Sequence, residues 1–293
     1  MAIGLAGFMA GSVQAQGLLN RLKDRLGSAG DIAETVIENR AAFQGFSDEE
    51  ELQIATENST QFEASTALWD DPQLDGYLNG IVQRLAQHAN HRPFEYRIKV
   101  VNDSAVNAFT FGAGILYVNA GLLARMENEA QVAMVLAHEI AHVAQSHVTN
   151  GMKADAGINM LGQLAGQAAA NSGRIDGQIL EKTYHYSMNA SINGHGRSQE
   201  SEADELGLDY LFKAGYDPRE ASGTFEQLLK EYGDASKMDA FFYSSHPRNQ
   251  ERMERTAAWV QSKYSQHLGT GAWIVNTNEF QELVHSVVNA MAK

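Results

Sequence analysis

The chain has 293 residues, no cysteine and a formal net charge of −14. The absence of cysteine excludes disulfides, thiolate metal sites and a lipid-modified N-terminal cysteine. The acidic balance, with no basic stripe or aromatic-interleaved basic patch, argues against a nucleic-acid partner and gives no electrostatic pull toward anionic lipid.

In chain order, Ala2 to Val13 (AIGLAGFMAGSV) is an apolar, small-residue run ending at Val13-Gln14-Ala15, which reads as a signal-peptidase site. The usual basic n-region is missing. Residues 1–15 are therefore expected to be a signal-peptide remnant, implying export to the periplasm; the alternative is a short hydrophobic N-terminal helix. Residues 16–46 read as a polar, partly helical arm. A single large domain is expected over 47–262, followed by an extension over 263–293 with a strand-like run (Ala272 to Val275) and a helix from about Asn278. Helix starts are marked by Ser47-Asp48-Glu49-Glu50 and Asp71-Pro72. Glu95 to Val101 alternates as a strand does. Ala108 to Phe111 and Ile115 to Val118 read as two more, joined by Gly112-Ala113-Gly114. No later stretch is long and apolar enough to span a bilayer, so membrane association is expected to be peripheral at most.

Asn128-Glu129-Ala130-Gln131 has the form of a capping box, and Val132 to Ala137 is apolar. The helix so started carries His138-Glu139-Ile140-Ala141-His142, an HExxH pattern. Imidazoles at i and i+4 stand about 40° apart around a helix, so both can reach one metal ion, with the glutamate beside them able to act on a water. Buried imidazoles and a buried carboxylate call for a partner, and a cation supplies it. A hydrolytic zinc needs a third protein ligand and an open position. His147 lies about 180° from His138 on a continued helix and is expected at the surface or a helix end.

The third ligand is sought near residue 200. In GRSQESEADELGLDYLFKAG, Ala203, Leu206, Gly207, Tyr210, Leu211 and Ala214 form an apolar stripe with helical spacing. One step back lands on Glu200, a carboxylate on the buried face, whereas Glu202, Glu205, Asp209 and Lys213 fall on the solvated one. Asp204 could accept a hydrogen bond from a liganding imidazole, or form a surface salt bridge. Small residues Ala203 and Gly207 would let this helix approach the HEIAH helix closely. Residues 151–196, rich in Gly and Ala at first, could form a lid or a packed helical hairpin. His246-Pro247 could donate to an oxyanion or approach the metal, or simply close a loop.

HEIAHVAQSH, ESEADELG and SSHPRNQER together resemble the CAAX-prenyl-protease/HtpX family of gluzincin zinc metallopeptidases, and more closely its soluble, periplasmic BepA-like branch. The resemblance runs from about residue 48 to about residue 262. It implies an α+β, mainly α, zincin-like fold with a small antiparallel sheet and an HExxH active-site helix. It implies one zinc ion held by His138, His142 and Glu200, with Glu139 as general base and His246 as an oxyanion donor. Asp204 and Arg252 match the family's supporting aspartate and arginine. By analogy with zincins, Gly114, Ile115, Leu116, Tyr117 and Val118 are expected to form an edge strand that pairs with an extended peptide substrate. Misfolded or misassembled envelope proteins are the substrate class that the resemblance suggests. Rival readings are a chaperone or adaptor with a vestigial site, and a structural zinc domain closed by His246.

Overall fold

The structure, a computed structural model, describes residues 46–90, 92–152, 177–193, 195–232, 249–269 and 271–292. The expected signal remnant, all of the arm but Phe46, the first part of the 151–196 segment and His246 lie outside the described residues. Those that are described belong to one compact unit, 46–155 and 177–293.

Helices α1 (Asp48–Ser65) and α2 (Pro72–Ala86) precede a three-stranded sheet of β1 (Arg97–Val101), β2 (Ala108–Gly112) and β3 (Ile115–Asn119). Both helices begin where their caps place them. Ser47 and Glu50 close a reciprocal capping box, and the Asp71 carboxylate accepts from the backbone N–H of Gln73 and Leu74 ahead of Pro72. Strand order is β1-β3-β2, with β1 parallel and β2 antiparallel to β3. The expected antiparallel sheet is thus a mixed one. The β2–β3 hairpin turns on Ala113 (φ 48°) and Gly114 (φ 81°), both left-handed as a two-residue turn of the primed type requires. A side chain at Gly114 would sit 2.5 Å from the Glu95 carbonyl oxygen, so this position is closed to anything larger.

Successive residues of β3 serve opposite faces. Leu116 and Val118 join the main core, while Ile115 and Tyr117 join a second cluster with Phe62, Phe109 and Phe111 beneath α1. Burial on both faces accounts for the near-continuous apolar run of these strands.

After the short α3 (Ala120–Leu123) comes α4 (Glu129–Ala144), every residue of which is buried. It is packed by α2, β2, α6 (Arg197–Lys213) and α7 (Glu220–Tyr232); α8 (Asn249–Trp259) lies against α6 and α7. Between them, α5 (Gly177–Asn193) packs on α1 through buried Asn58, whose amide donates to Ser187 Oγ (3.1 Å). The described half of the 151–196 segment is therefore a seated helix. Residues 263–293 fold back on the same core: Phe280 and Val287 of α9 (Asn278–Met291) are buried in it. Within 272–275 the expected strand reduces to an isolated bridge between Ile274 and Tyr216.

Candidate metal centre

A helix start leaves backbone N–H groups without partners, and at α4 each of the first three is met. The Asn276 side-chain oxygen accepts from Glu129 N–H (3.3 Å), the Val275 carbonyl from Ala130 N–H (3.0 Å), and the Asn128 side chain from Gln131 N–H (3.0 Å). The Gln131 side chain does not complete the expected capping box; its oxygen accepts from Glu127 N–H instead. Glu129 itself accepts from the hydroxyls of Tyr77, Tyr216 and Thr277 at 2.8, 2.9 and 2.7 Å.

Farther along α4, one turn apart, His138 and His142 turn their Nε2 atoms to within 3.0 Å of each other. Glu200, on the first turn of α6, places its two carboxylate oxygens 3.4 Å from His138 Nε2 and 3.5 Å from His142 Nε2. All three side chains are buried, and they form a group that could hold a metal ion. Donors bonded to a tetrahedral zinc at about 2.0–2.1 Å would stand about 3.3 Å from one another. The observed separations bracket that value, and two imidazoles with one carboxylate are a common catalytic zinc donor set. The residues present therefore fit the ion.

Close helix packing is what brings Glu200 into range. A Cβ on Gly207 would lie 3.0 Å from the His138 backbone nitrogen, so α6 crosses α4 at this glycine. The approach also buries Asp204, whose Oδ1 is 3.1 Å from His138 Nδ1. Taken as the acceptor for Nδ1–H, Asp204 leaves the His138 Nε2 lone pair facing Glu200. Arg252 of α8 donates to the same carboxylate from Nε (3.0 Å) and Nη2 (2.6 Å), its guanidinium lying 4.4 Å over the Phe225 ring. Arg255 adds a third donor at 2.7 Å.

These contacts decide the charges. Burial would raise the Asp204 carboxyl, but Arg252 and His138 hold it well below the usual carboxylate range. Burial and Arg252 oppose a proton on His138, yet hydrogen bonds to Asp204 and Glu200 overcome them and push it up to about 9. Burial, then His195 and His138, push His142 well below its ordinary value. Burial raises Glu139 to about 8, His138 opposing and Glu200 adding.

Other expected positions fall elsewhere. Gly114 to Val118, expected as an edge strand, corresponds to the turn and the middle strand; β3 is paired on both sides, by β1 and β2, and offers no free edge. His147, expected at the surface or a helix end, does stand at a helix end, opening the helical segment 147–152, but it is buried there, with Nδ1 2.8 Å from His142 Nδ1. The reason is local. Helix α4 ends at Ala144, and Ser146 adopts a left-handed conformation (φ 54°) that swings the chain back before residue 147. Extrapolating the helical angle past Ala144 fails, and no glycine marks the turn. His195, which the sequence does not single out, stacks on His142 with ring centroids 4.1 Å apart, and its backbone N–H points to Glu200 Oε1 at 3.4 Å. Its place five residues before Glu200, just ahead of a helix start, is the signal that could have found it.

The chain belongs to peptidase family M48, whose model matches residues 72–260. It is 28% identical over 207 residues to the beta-barrel assembly-enhancing protease of Escherichia coli strain K12, a match covering 70% of this chain and 42% of that protein. It is 32% identical over 179 residues to the metalloprotease LoiP of the same organism, covering 60% and 67%. A mitochondrial metalloendopeptidase OMA1 of Arabidopsis thaliana is 32% identical over 171 residues, covering 55% and 31%. The chain thus spans about two-fifths of the beta-barrel assembly-enhancing protease. The matched family is one of peptidases, and two of these relatives are named as a metalloprotease and a metalloendopeptidase. No described helix is long and apolar enough to cross a membrane.

Proposed function

We propose that the protein is a zinc-dependent endopeptidase of the gluzincin type, with His138, His142 and Glu200 as ligands and Glu139 as general base. The observation that carries this reading is the convergence of three buried side chains, the two Nε2 atoms 3.0 Å apart and the Glu200 carboxylate oxygens 3.4 and 3.5 Å from them, at the crossing of α4 and α6. Zinc, when bound, would supply Lewis acidity, activating water and polarising the scissile carbonyl. Glu139 takes the proton of the attacking water on its carboxylate and delivers it to the leaving amine nitrogen. Burial raises its pKa to about 8 in the absence of a cation, and a cation bound beside it would favour the carboxylate that accepts the proton. Asp204 keeps the His138 ring oriented, and Arg252 keeps Asp204 ionised while buried. His246 is assigned the oxyanion, on the family resemblance of the His-Pro pair.

Pairing with an extended substrate is reassigned from β3 to β2, the outer strand that packs on α4. The opposite edge is taken: beyond β1, Trp69 N–H donates to the Val100 carbonyl and Asn102 N–H to the Ala67 carbonyl. The substrates we infer are misassembled envelope proteins met in the periplasm. The apolar N-terminal run and the relative named for beta-barrel assembly support this.

Casein digestion tests the chemistry. Wild type is expected to cleave; Glu139→Gln and chelator-treated protein are expected to lose about 10²–10⁴-fold of that rate. The metal-free stability of Glu139→Gln should be unchanged or higher, because a buried carboxylate is costly to ionise. Equal digestion by all three would reject the peptidase, and a biological activity that Glu139→Gln keeps undiminished would favour an adaptor.

A further inference from the structure

We propose that His147 is a positioning residue for the metal centre: its Nδ1 accepts the Nδ1–H of His142 and so turns His142 Nε2 toward the ion. The inference rests on the zinc reading above and adds a part that reading does not contain.

A liganding imidazole must present a lone pair at the metal, so its other nitrogen carries the hydrogen and needs an acceptor. His138 has one in Asp204. Among the described residues, His147 Nδ1 lies within reach of His142 Nδ1, at 2.8 Å, with the two rings 68° apart. His147 can accept there only if its own hydrogen is on Nε2, and Nε2 faces Glu202 Oε2 at 3.4 Å. The three groups form a relay from Glu202 through His147 to His142, parallel to the direct contact from Asp204 to His138.

The relay has a physical reason to run through an imidazole. Asp204 can be buried because Arg252 and Arg255 accompany it. A second buried carboxylate behind His142 would carry its own desolvation cost. With the neutral ring between them, the carboxylate of Glu202 stays about half in solvent (53% side-chain exposure) while its pull still reaches the ligand.

Structure around the turn holds His147 in this place. Arg92 donates to the Val143 carbonyl (3.3 Å) at the end of α4 and to the Ser146 hydroxyl. The same guanidinium is paired with buried Glu51 (3.0 Å), which also accepts from Thr149 Oγ1 (3.3 Å) and from Ala113 N–H in the hairpin (3.3 Å). Residues 143, 146 and 149 are thereby tied to the ion pair of half-buried Arg92 with buried Glu51, and the left-handed Ser146 that directs the His147 ring is tied with them.

The test is zinc affinity, measured by competition with a chromophoric chelator on wild type, His147→Phe and His147→Asn. Phenylalanine keeps the ring volume and removes the acceptor; asparagine places an amide oxygen where Nδ1 was. A ten- to hundredfold weaker Kd is expected for His147→Phe, of the size that lost outer partners of metal ligands produce, with His147→Asn within a few-fold of wild type. Matched melting curves of the metal-free forms separate affinity from folding. A His147→Phe protein as tight as wild type would overturn the relay, and so would an asparagine variant as weak as the phenylalanine one. Should His147→Phe not fold, nitrogen-15 spectra of the zinc-loaded wild type decide: hydrogen on His142 Nδ1 and on His147 Nε2 is expected, and a protonated His147 Nδ1 overturns the relay. Wild type that takes up no zinc removes the metal-centre reading itself, and the relay with it.

Discussion

Helix α4 begins at one buried carboxylate, Glu129, and farther along meets another, Glu200, and the two are held in opposite ways. Around Glu129, three neutral hydroxyls donate at 2.7 to 2.9 Å, the length of direct hydrogen bonds, beside the positive end of a helix dipole. Around Glu200, the two imidazole nitrogens stand at 3.4 and 3.5 Å and the Arg252 Nη1 at 3.8 Å. Those separations are longer than the hydroxyl contacts on Glu129 and are arranged about a common point. Short contacts that close on a carboxylate build a helix start; longer contacts that converge build a place for a cation. Both are buried, so burial does not identify a functional acid on its own.

The largest expected effect that would break this contrast is at Asp204. Replacing it with asparagine leaves buried Arg252 without its counter-charge and His138 with a weaker acceptor. A loss of about 3–5 kcal/mol in the urea stability of the metal-free protein is expected, together with a ten- to hundredfold weaker zinc Kd. The sign with pH follows from the depressed carboxyl of Asp204. Its stabilising contribution is complete above the ordinary value of about 4 and is lost as pH falls through the folded one, so wild type and variant should converge in acid. A gap that widens in acid would contradict the assignment. Next in size is Gly207→Ala, which forces α4 and α6 apart where a Cβ would stand 3.0 Å from the His138 nitrogen. A cost of about 1–3 kcal/mol in thermal melts is expected, and zinc affinity should fall as Glu200 is carried away from the imidazoles. An alanine variant with unchanged melting and unchanged affinity would show that the crossing is looser than this geometry. Smallest is Glu129→Gln, expected to cost about 1–2 kcal/mol of stability and to leave zinc affinity and casein cleavage as they are. If it weakened zinc binding as much as Asp204→Asn, the distinction between the two acids would fall.

Much of the site was legible because helices impose their period on the residues they carry. The four-residue step puts His138 and His142 on one face. The stripe of Ala203, Gly207, Tyr210 and Leu211 points back to Glu200 and forward to a close helix crossing. The hairpin turn at Gly112-Ala113-Gly114 was legible for a similar reason, since glycine flags left-handed backbone. At Ser146 that flag is missing: a serine with φ 54° is an ordinary serine in the sequence, so the turn that buries His147 could not be read. Strand order was equally hidden. Ile115 to Val118 is a strand either way, but whether it is an edge depends on β1 lying beside it, a pairing between segments separated along the chain. The run 272–275 shows the same limit, since its carbonyl at Val275 is spent on capping α4 rather than on a sheet.

By itself the sequence determined the local periodicities, the caps and the chemical types of the donors, because these depend on residues within a turn or two of one another. Only the tertiary structure decided which acid faces which imidazole, which strand lies in the middle and which nitrogen of His142 meets His147. Those depend on distances between helices and strands, set by packing of side chains far apart in the chain.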